Sequence, residues 1–330
     1  MSTPDTIRRL VGLEPDNLLA FLTLLGLLRA LEQEGWRPRV AWSLGDPPLR
    51  PLLVLREPRS EQAVCEAAAK GAAALAEDHV FPRSMADDTA QADLNYQMAE
   101  ARGLLARAAD AGDRQADLWS ALMCDAAGKD GKIDATPLCT LFGQGHQHFL
   151  DRLAGVPRIE APPARGRGKS AVTPTAAETL LEALFQPWMR QDPTPAFRWD
   201  PAEDVRYALR ADDPSGTKST TQHGANRLAA LGLAVLTAAP EMRGGRIRLQ
   251  VPGGAFTRDG FTFSWPIWKD PISLAGIRAL LGHPALTRAP EALAHLGVVE
   301  VRRTQRISVG KFVNFTRATP VPLTTSRDTA

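Results

Sequence analysis

Asp16-Asn17-Leu18-Leu19-Ala20-Phe21-Leu22-Thr23-Leu24-Leu25-Gly26-Leu27-Leu28-Arg29-Ala30-Leu31 is the stretch on which the fold turns. Asp and Asn carry side-chain oxygens that accept from the free amides at a helix start, so Asp16-Asn17 is the expected cap of a helix from Leu18 to Glu34. Its apolar residues surround the axis and leave no polar face, which places the helix inside a core. Arg8 and Arg9 ahead of the run Leu18 to Leu28 imitate a secretory signal. Glu14 and Asp16 intervene, however, no small-x-small cleavage site follows, and Arg29, Glu32 and Glu34 continue the same helix. The run is also too short for a bilayer span, which takes about 20 apolar residues.

Outward from that helix, Trp36 to Trp42 and Leu52 to Leu55 are short apolar runs split by Gly45-Asp46-Pro47-Pro48, the pattern of a two-stranded hairpin. Ser60 opens an Ala-rich helix to about Glu77. Residues 86–127 carry leucines spaced for one or two amphipathic helices, with Gly112 as the break. After the turn Gly128-Lys129-Asp130-Gly131 a helix is expected from Pro137 to about Leu153. Prolines and the run Arg165-Gly166-Arg167-Gly168-Lys169 then deny regular structure, so a flexible basic linker is expected over 157–174. Beyond it come helices over Ala176 to Met189 and Gly224 to Leu236, a strand over Val205 to Leu209, and a β-rich end. That end holds Arg246 to Val251, Phe261 to Trp268 and three runs between Val298 and Thr319, interrupted by a helix near Leu274 to Leu281. The expectation is an α+β protein: an acidic, mostly helical domain over 1–156 with a small β-hairpin, the linker, and a basic α+β domain over 175–330 with helices packed on its strands.

Cys65, Cys124 and Cys139 form no CxxC pair, the usage of a reducing compartment, and a cytoplasmic location follows as the expectation. Residues 1–156 carry 16 Lys and Arg against 22 Asp and Glu, a balance of −6, whereas residues 157–330 carry 23 against 15, a balance of +8. A basic half on a near-neutral chain points to a polyanion at one face, nucleic acid above all, while the acidic half stays solvated or meets a basic partner.

No chemical motif is complete. Gly168-Lys169-Ser170 lacks the first glycine of a phosphate-binding loop, because Pro163 stands there. In Ser215-Gly216-Thr217-Lys218-Ser219-Thr220, Thr217 separates Gly from Lys, although the hydroxyls and Lys218 still suit a phosphate. His146-Gln147-His148 near Cys139 and Asp134 raises zinc, but two histidines at i and i+2 of a helix point to different faces. Asp125 to Asp134 breaks calcium-loop spacing. The sequence thus points to no cofactor and no metal, and to binding in place of catalysis. A metal-dependent nuclease assembled from scattered carboxylates stays open as an alternative. The C-terminal run Arg302 to Arg317 alternates as a β-hairpin. Phe312 would face the core with Asn314 beside it, while Lys311, Val313 and Phe315 share the other face, which is either an RNA-contacting strand or an edge guarded by charge.

Four stretches carry a resemblance: Leu10-Val11-Gly12-Leu13-Glu14-Pro15-Asp16-Asn17 with Leu25-Gly26-Leu27-Leu28-Arg29, then Phe142-Gly143-Gln144-Gly145-His146-Gln147, then Phe197-Arg198-Trp199-Asp200-Pro201, and His223-Gly224-Ala225-Asn226-Arg227-Leu228-Ala229. The chain resembles the subtype-specific proteins of type I-G (formerly I-U) CRISPR operons. That set includes the large subunit of the surveillance complex and a family described as an extension of its helicase-nuclease. The resemblance implies a subunit of a crRNA-guided antiviral complex that holds crRNA or target DNA, contacts other subunits, or recruits the helicase-nuclease. Large subunits are usually longer than this chain. The residues expected to meet phosphate are Arg165, Arg167, Lys169, Lys218, Arg302, Arg303, Arg306 and Lys311. An adaptor that touches only proteins is the remaining alternative.

Overall fold

The structure is a computed structural model that describes residues 5–85, 92–142, 147–166, 168–203, 220–309, 312–321 and 323. Strand β1 (Thr6–Arg9) precedes α1 (Leu18–Gln33), whose cap is Asn17: its side-chain oxygen accepts from the amides of Leu19 at 2.9 Å and Ala20 at 3.4 Å. Strands β2 (Arg39–Trp42) and β3 (Pro51–Leu55) form the expected antiparallel hairpin, and β1, which sequence reading did not foresee, adds to β3. Helix α2 (Glu61–Ala76) is capped by Ser60. Helices α3 (Met98–Ala111) and α4 (Asp113–Leu122) part at Gly112, whose φ of 117° strongly favours glycine. The short strands β4 (Gly128–Lys129) and β5 (Lys132–Ile133) close around Asp130-Gly131. Then follow α5 (Phe149–Arg158), α6 (Ala176–Phe185) and α7 (His223–Gly232).

The C-terminal part is rich in strands. β6 (Ala239–Arg243) and β7 (Arg246–Gln250) make a separate hairpin. β8 (Gly254–Thr257) and β9 (Gly260–Trp268) lead into α8 (Leu274–Gly282) and α9 (Ala285–Arg288), and β10 (Val298–Val309), β11 (Phe312–Phe315) and β12 (Thr319–Val321) follow. The larger antiparallel sheet runs β11-β10-β9-β8, with β12 also on β10. The architecture is the α+β mixture the sequence implied, helices gathered in the N-terminal part and packed on strands in the C-terminal part.

Three helices are shorter than their patterns; the one expected to Leu236 ends at Gly232 and gives way to a 3-10 turn over Leu233–Val235. The one expected from Pro137 begins only at Phe149, because residues 137–142 serve distant partners: Trp199 donates its indole to the Leu138 carbonyl at 2.9 Å, and the Thr140 hydroxyl donates to the Phe197 carbonyl. Helix α6 stops at Phe185 because Pro187 disfavours helical backbone at Gln186. The strand expected over 205–209 lies outside the described residues.

One buried cluster runs from Leu10 to Ala318 and includes both halves of the chain. Helix α1 packs against α2 and α7, and Phe21 stacks on Trp265 of β9 at 5.2 Å and 15°. That explains its all-round apolar surface. The expected division at 157–174 therefore does not coincide with a break in the core. Residues 157 and 158 end α5, and Arg165 and Val172 exchange both backbone hydrogen bonds at 2.9 Å. Prolines and glycines exclude long regular elements there, but they do not prevent docking through side chains. Among the described residues no helix is long and apolar enough to cross a membrane.

Candidate nucleic-acid interface

Of the eight basic residues expected to meet phosphate, Arg167, Lys218 and Lys311 lie outside the described residues, and Lys169 is described only as backbone of the turn Gly168–Ser170. Arg165 is bridged to Glu182 and Asp192, each at 2.7 Å, so its charge is already matched. Arg302 is paired with Glu300. Arg303 donates to the Ser264 hydroxyl at 3.1 Å, and Arg306 to the Cys139 carbonyl at 3.1 Å. Alternation along β10 puts Arg302 and Arg306 on one face and Arg303 on the other, so this run is not a single basic face. Val313 and Phe315 are buried, not displayed on an open face as their spacing suggested.

Arg306 nevertheless leads to a groove. Its guanidinium lies 5.5 Å from the ring centre of Phe142, a residue 48% exposed. Phe142, Arg306, Asp134, Arg248 and Phe256 line an open cleft of about 370 Å³. A second depression, also about 370 Å³, adjoins it and shares Arg248 and Phe256. Phe256 is 37% exposed, and the Arg243 guanidinium sits 5.0 Å from its ring centre while donating to the Phe256 carbonyl. The hairpin β6–β7 makes this possible. Gly244 and Gly245, with φ of 56° and 73°, form the tight turn, and the register opposes Arg243 to Arg246 and Glu241 to Arg248. The three arginines therefore share one face with Glu241. Arg246 bonds Asp134 at 2.6 Å and Glu241 pairs with Arg288 at 3.2 Å, which leaves Arg248 exposed with no ionic partner among the described residues. Reading the sequence missed this site, although Arg243-Gly244-Gly245-Arg246-Ile247-Arg248 holds its signal: a Gly-Gly turn with arginines at alternate positions.

The stretches that carry the resemblance meet in space and are largely buried. Asn17 donates to Asp200 at 3.0 Å, the Leu19 amide to the Trp199 carbonyl at 3.3 Å, the Phe197 amide to Asn226 at 3.3 Å, and Arg198 to Gln147 at 2.7 Å. Phe197 and Trp199 stack at 4.4 Å. These motifs hold the fold together. The carboxylates among and near them are also engaged: Asp200 with Arg190 at 2.6 Å, and Asp192 with Arg165. Burial, helped by the charge of Asp200, pushes the Glu203 carboxyl up to about 7, against the hydrogen bonds it accepts from Thr221 and the Arg198 amide. A carboxyl near neutrality suits a general acid, yet both oxygens of Glu203 already serve the fold. His148 lies 2.9 Å from Asp93, and burial pushes the Cys139 thiol up to about 12. His146 lies outside the described residues, among which no group of three or more His, Cys, Asp and Glu is placed to hold a metal.

Comparison with protein-family models, with curated proteins and with solved structures finds no match.

Proposed function

We propose that this chain is a non-catalytic nucleic-acid-binding subunit of a CRISPR interference complex, one that holds crRNA or target DNA or brings the helicase-nuclease to it. The observation that carries the nucleic-acid reading is the exposed Arg248 in one cleft with two exposed rings, Phe142 and Phe256, each with an arginine over it. Exposed guanidinium groups neutralise phosphate without reading sequence. In guide-directed complexes base pairing reads the sequence and protein tracks the backbone, a division of labour to which such a groove is suited. The CRISPR setting rests on the resemblance of the four stretches quoted above.

The test is a binding titration of the full chain and its Arg243→Ala/Arg248→Ala variant at several salt concentrations. The variant should bind all sequences more weakly, and each lost contact should flatten the log-log salt dependence by about 0.7 on a single strand or about 0.9 on a duplex. Wild-type protein that binds neither RNA nor DNA at about 50 mM salt, where phosphate contacts are strong, would leave only the protein-adaptor reading. Strand cleavage on adding a divalent metal would replace a binding role with a nuclease.

A further inference from the structure

Two ways of meeting nucleic acid make opposite demands on a surface. A duplex offers phosphates and base edges and keeps the faces of its bases stacked. An unpaired strand offers those faces to any ring or guanidinium plane that protrudes beside a cationic track. The groove has both components. Phe142 and Phe256 are 48% and 37% exposed, well above the other phenylalanines of the core such as Phe263 and Phe315. Each ring carries a guanidinium already held in place. Arg243 is fixed over Phe256 by its hydrogen bond to that residue's carbonyl, and Arg306 over Phe142 by its hydrogen bond to Cys139. The order of ring and guanidinium is thus set before anything binds, which lowers the cost of adding a base to the stack.

Charge points the same way. Asp134 is the carboxylate in the cleft, and Arg246 matches it, so Arg243, Arg248 and Arg306 are in excess. The two depressions share Arg248 and Phe256, and the first also holds Phe142, so one chain lying in both would meet both rings and Arg248.

We infer that this groove takes an unpaired segment of nucleic acid, RNA or single-stranded DNA, with bases stacked at Phe142 and Phe256 and a phosphate at Arg248. This rests on the nucleic-acid reading above and deepens it: the ligand is a strand whose base faces are free.

The experiment measures fluorescence anisotropy of the full-length protein with three labelled probes of equal length: oligo-U, oligo-dT and a mixed-sequence DNA duplex. Wild type should bind at least one single strand roughly tenfold more tightly than the duplex. A preference between oligo-U and oligo-dT then names the source. The variant Phe142→Leu/Phe256→Leu keeps the apolar bulk and removes the stacking faces. It should lose roughly tenfold or more in single-strand affinity with an unchanged salt slope, because no charge is removed. Arg248→Gln should also weaken binding but, unlike the ring variant, flatten the slope by about 0.7. Matching thermal melts of all three proteins check that the fold is intact. Each ring is also changed singly, so a variant that fails to fold leaves the other as the test. Duplex binding as tight as single-strand binding, or no effect of the ring substitutions in folded protein, overturns the inference while leaving nucleic-acid binding standing. Absence of salt-dependent binding to all three probes overturns the nucleic-acid reading itself.

Discussion

His79 shows what burial does to a single residue here. It is buried, its Nδ1 lies 2.9 Å from the Leu153 carbonyl, and its ring meets Phe81 edge to face at 5.9 Å. Burial pushes its pKa down to about 3; the hydrogen bond to Leu153 opposes the shift, and the charges of Arg29 and Arg158 add to it. The neutral ring therefore donates to Leu153. Because the folded pKa is depressed below the unfolded value of about 6.5, the unfolded chain binds the extra proton, and stability is lost as pH falls below that value. His223, also lowered mainly by burial, acts in the same direction. Glu203, raised to about 7, acts oppositely, since its carboxylate costs stability as pH rises from the usual carboxylate range through 7. A variant isolates the histidine. Asn at position 79 can keep a donor toward Leu153 and does not titrate. Between pH 7.5 and 5.0 wild type should lose about 2 kcal/mol more unfolding free energy than His79→Asn, measured by urea denaturation at both pH values. Equal losses would mean that this ring is not held neutral.

At the scale of elements, the contact between α1 and α7 is set by two glycines. An added Cβ on Gly26 would lie 1.8 Å from the Leu228 carbonyl oxygen, and one on Gly232 would lie 2.1 Å from that of Leu22. Glycine inside a helix ordinarily costs about 1 kcal/mol relative to alanine, so its presence in the buried helix α1 reflects this close approach. Gly26→Ala should therefore destabilise, by about 1–3 kcal/mol or more, as the helices are forced apart. Gly155 in α5 is the control, because nothing lies within 4 Å of its added Cβ. Gly155→Ala should stabilise by about 0.5–1 kcal/mol. Thermal melts of the two variants shifting in the same direction would contradict the placement. Sequence places Gly26 inside the expected helix and Gly155 just beyond the one expected to end near Leu153; only the facing carbonyl shows that Gly26 has no room for a Cβ while Gly155 does.

For the whole molecule, the opposed charges of the two halves are partly matched within the fold. Asp134 pairs with Arg246 at 2.6 Å, Asp117 with Arg278, and Glu14 and Asp16 with Arg317 at 2.9 and 3.0 Å. The acidic half thus meets a basic partner in the same chain. With α1 enclosed by elements from both sides of 157–174, neither half can cover its own apolar surface. Fragments 1–156 and 175–330 expressed separately should be insoluble or molten, and co-expression should restore a soluble pair. A folded, monomeric 1–156 fragment with a cooperative melt would show that the core does divide there.

Local chemistry was legible from residues alone. The cap at Asn17, the hairpin of β2 and β3, the start of α2 at Ser60, the break at Gly112 and the buried character of α1 all follow from side chains acting on backbone within a few positions. The pairing of charges was not legible in this way. Arg165 meets acids 17 and 27 residues further on, whereas Arg248, in a less conspicuous run, is left exposed. The groove likewise joins residues from 134 to 306, and whether a ring such as Phe142 stays in solvent or enters the core as Phe315 does depends on what the rest of the chain packs against it. Periodicity and capping are short-range and are written in neighbouring residues. Neutralisation and exposure are set by long-range packing, so the tertiary structure alone decided which of the many arginines face outward beside an exposed aromatic ring.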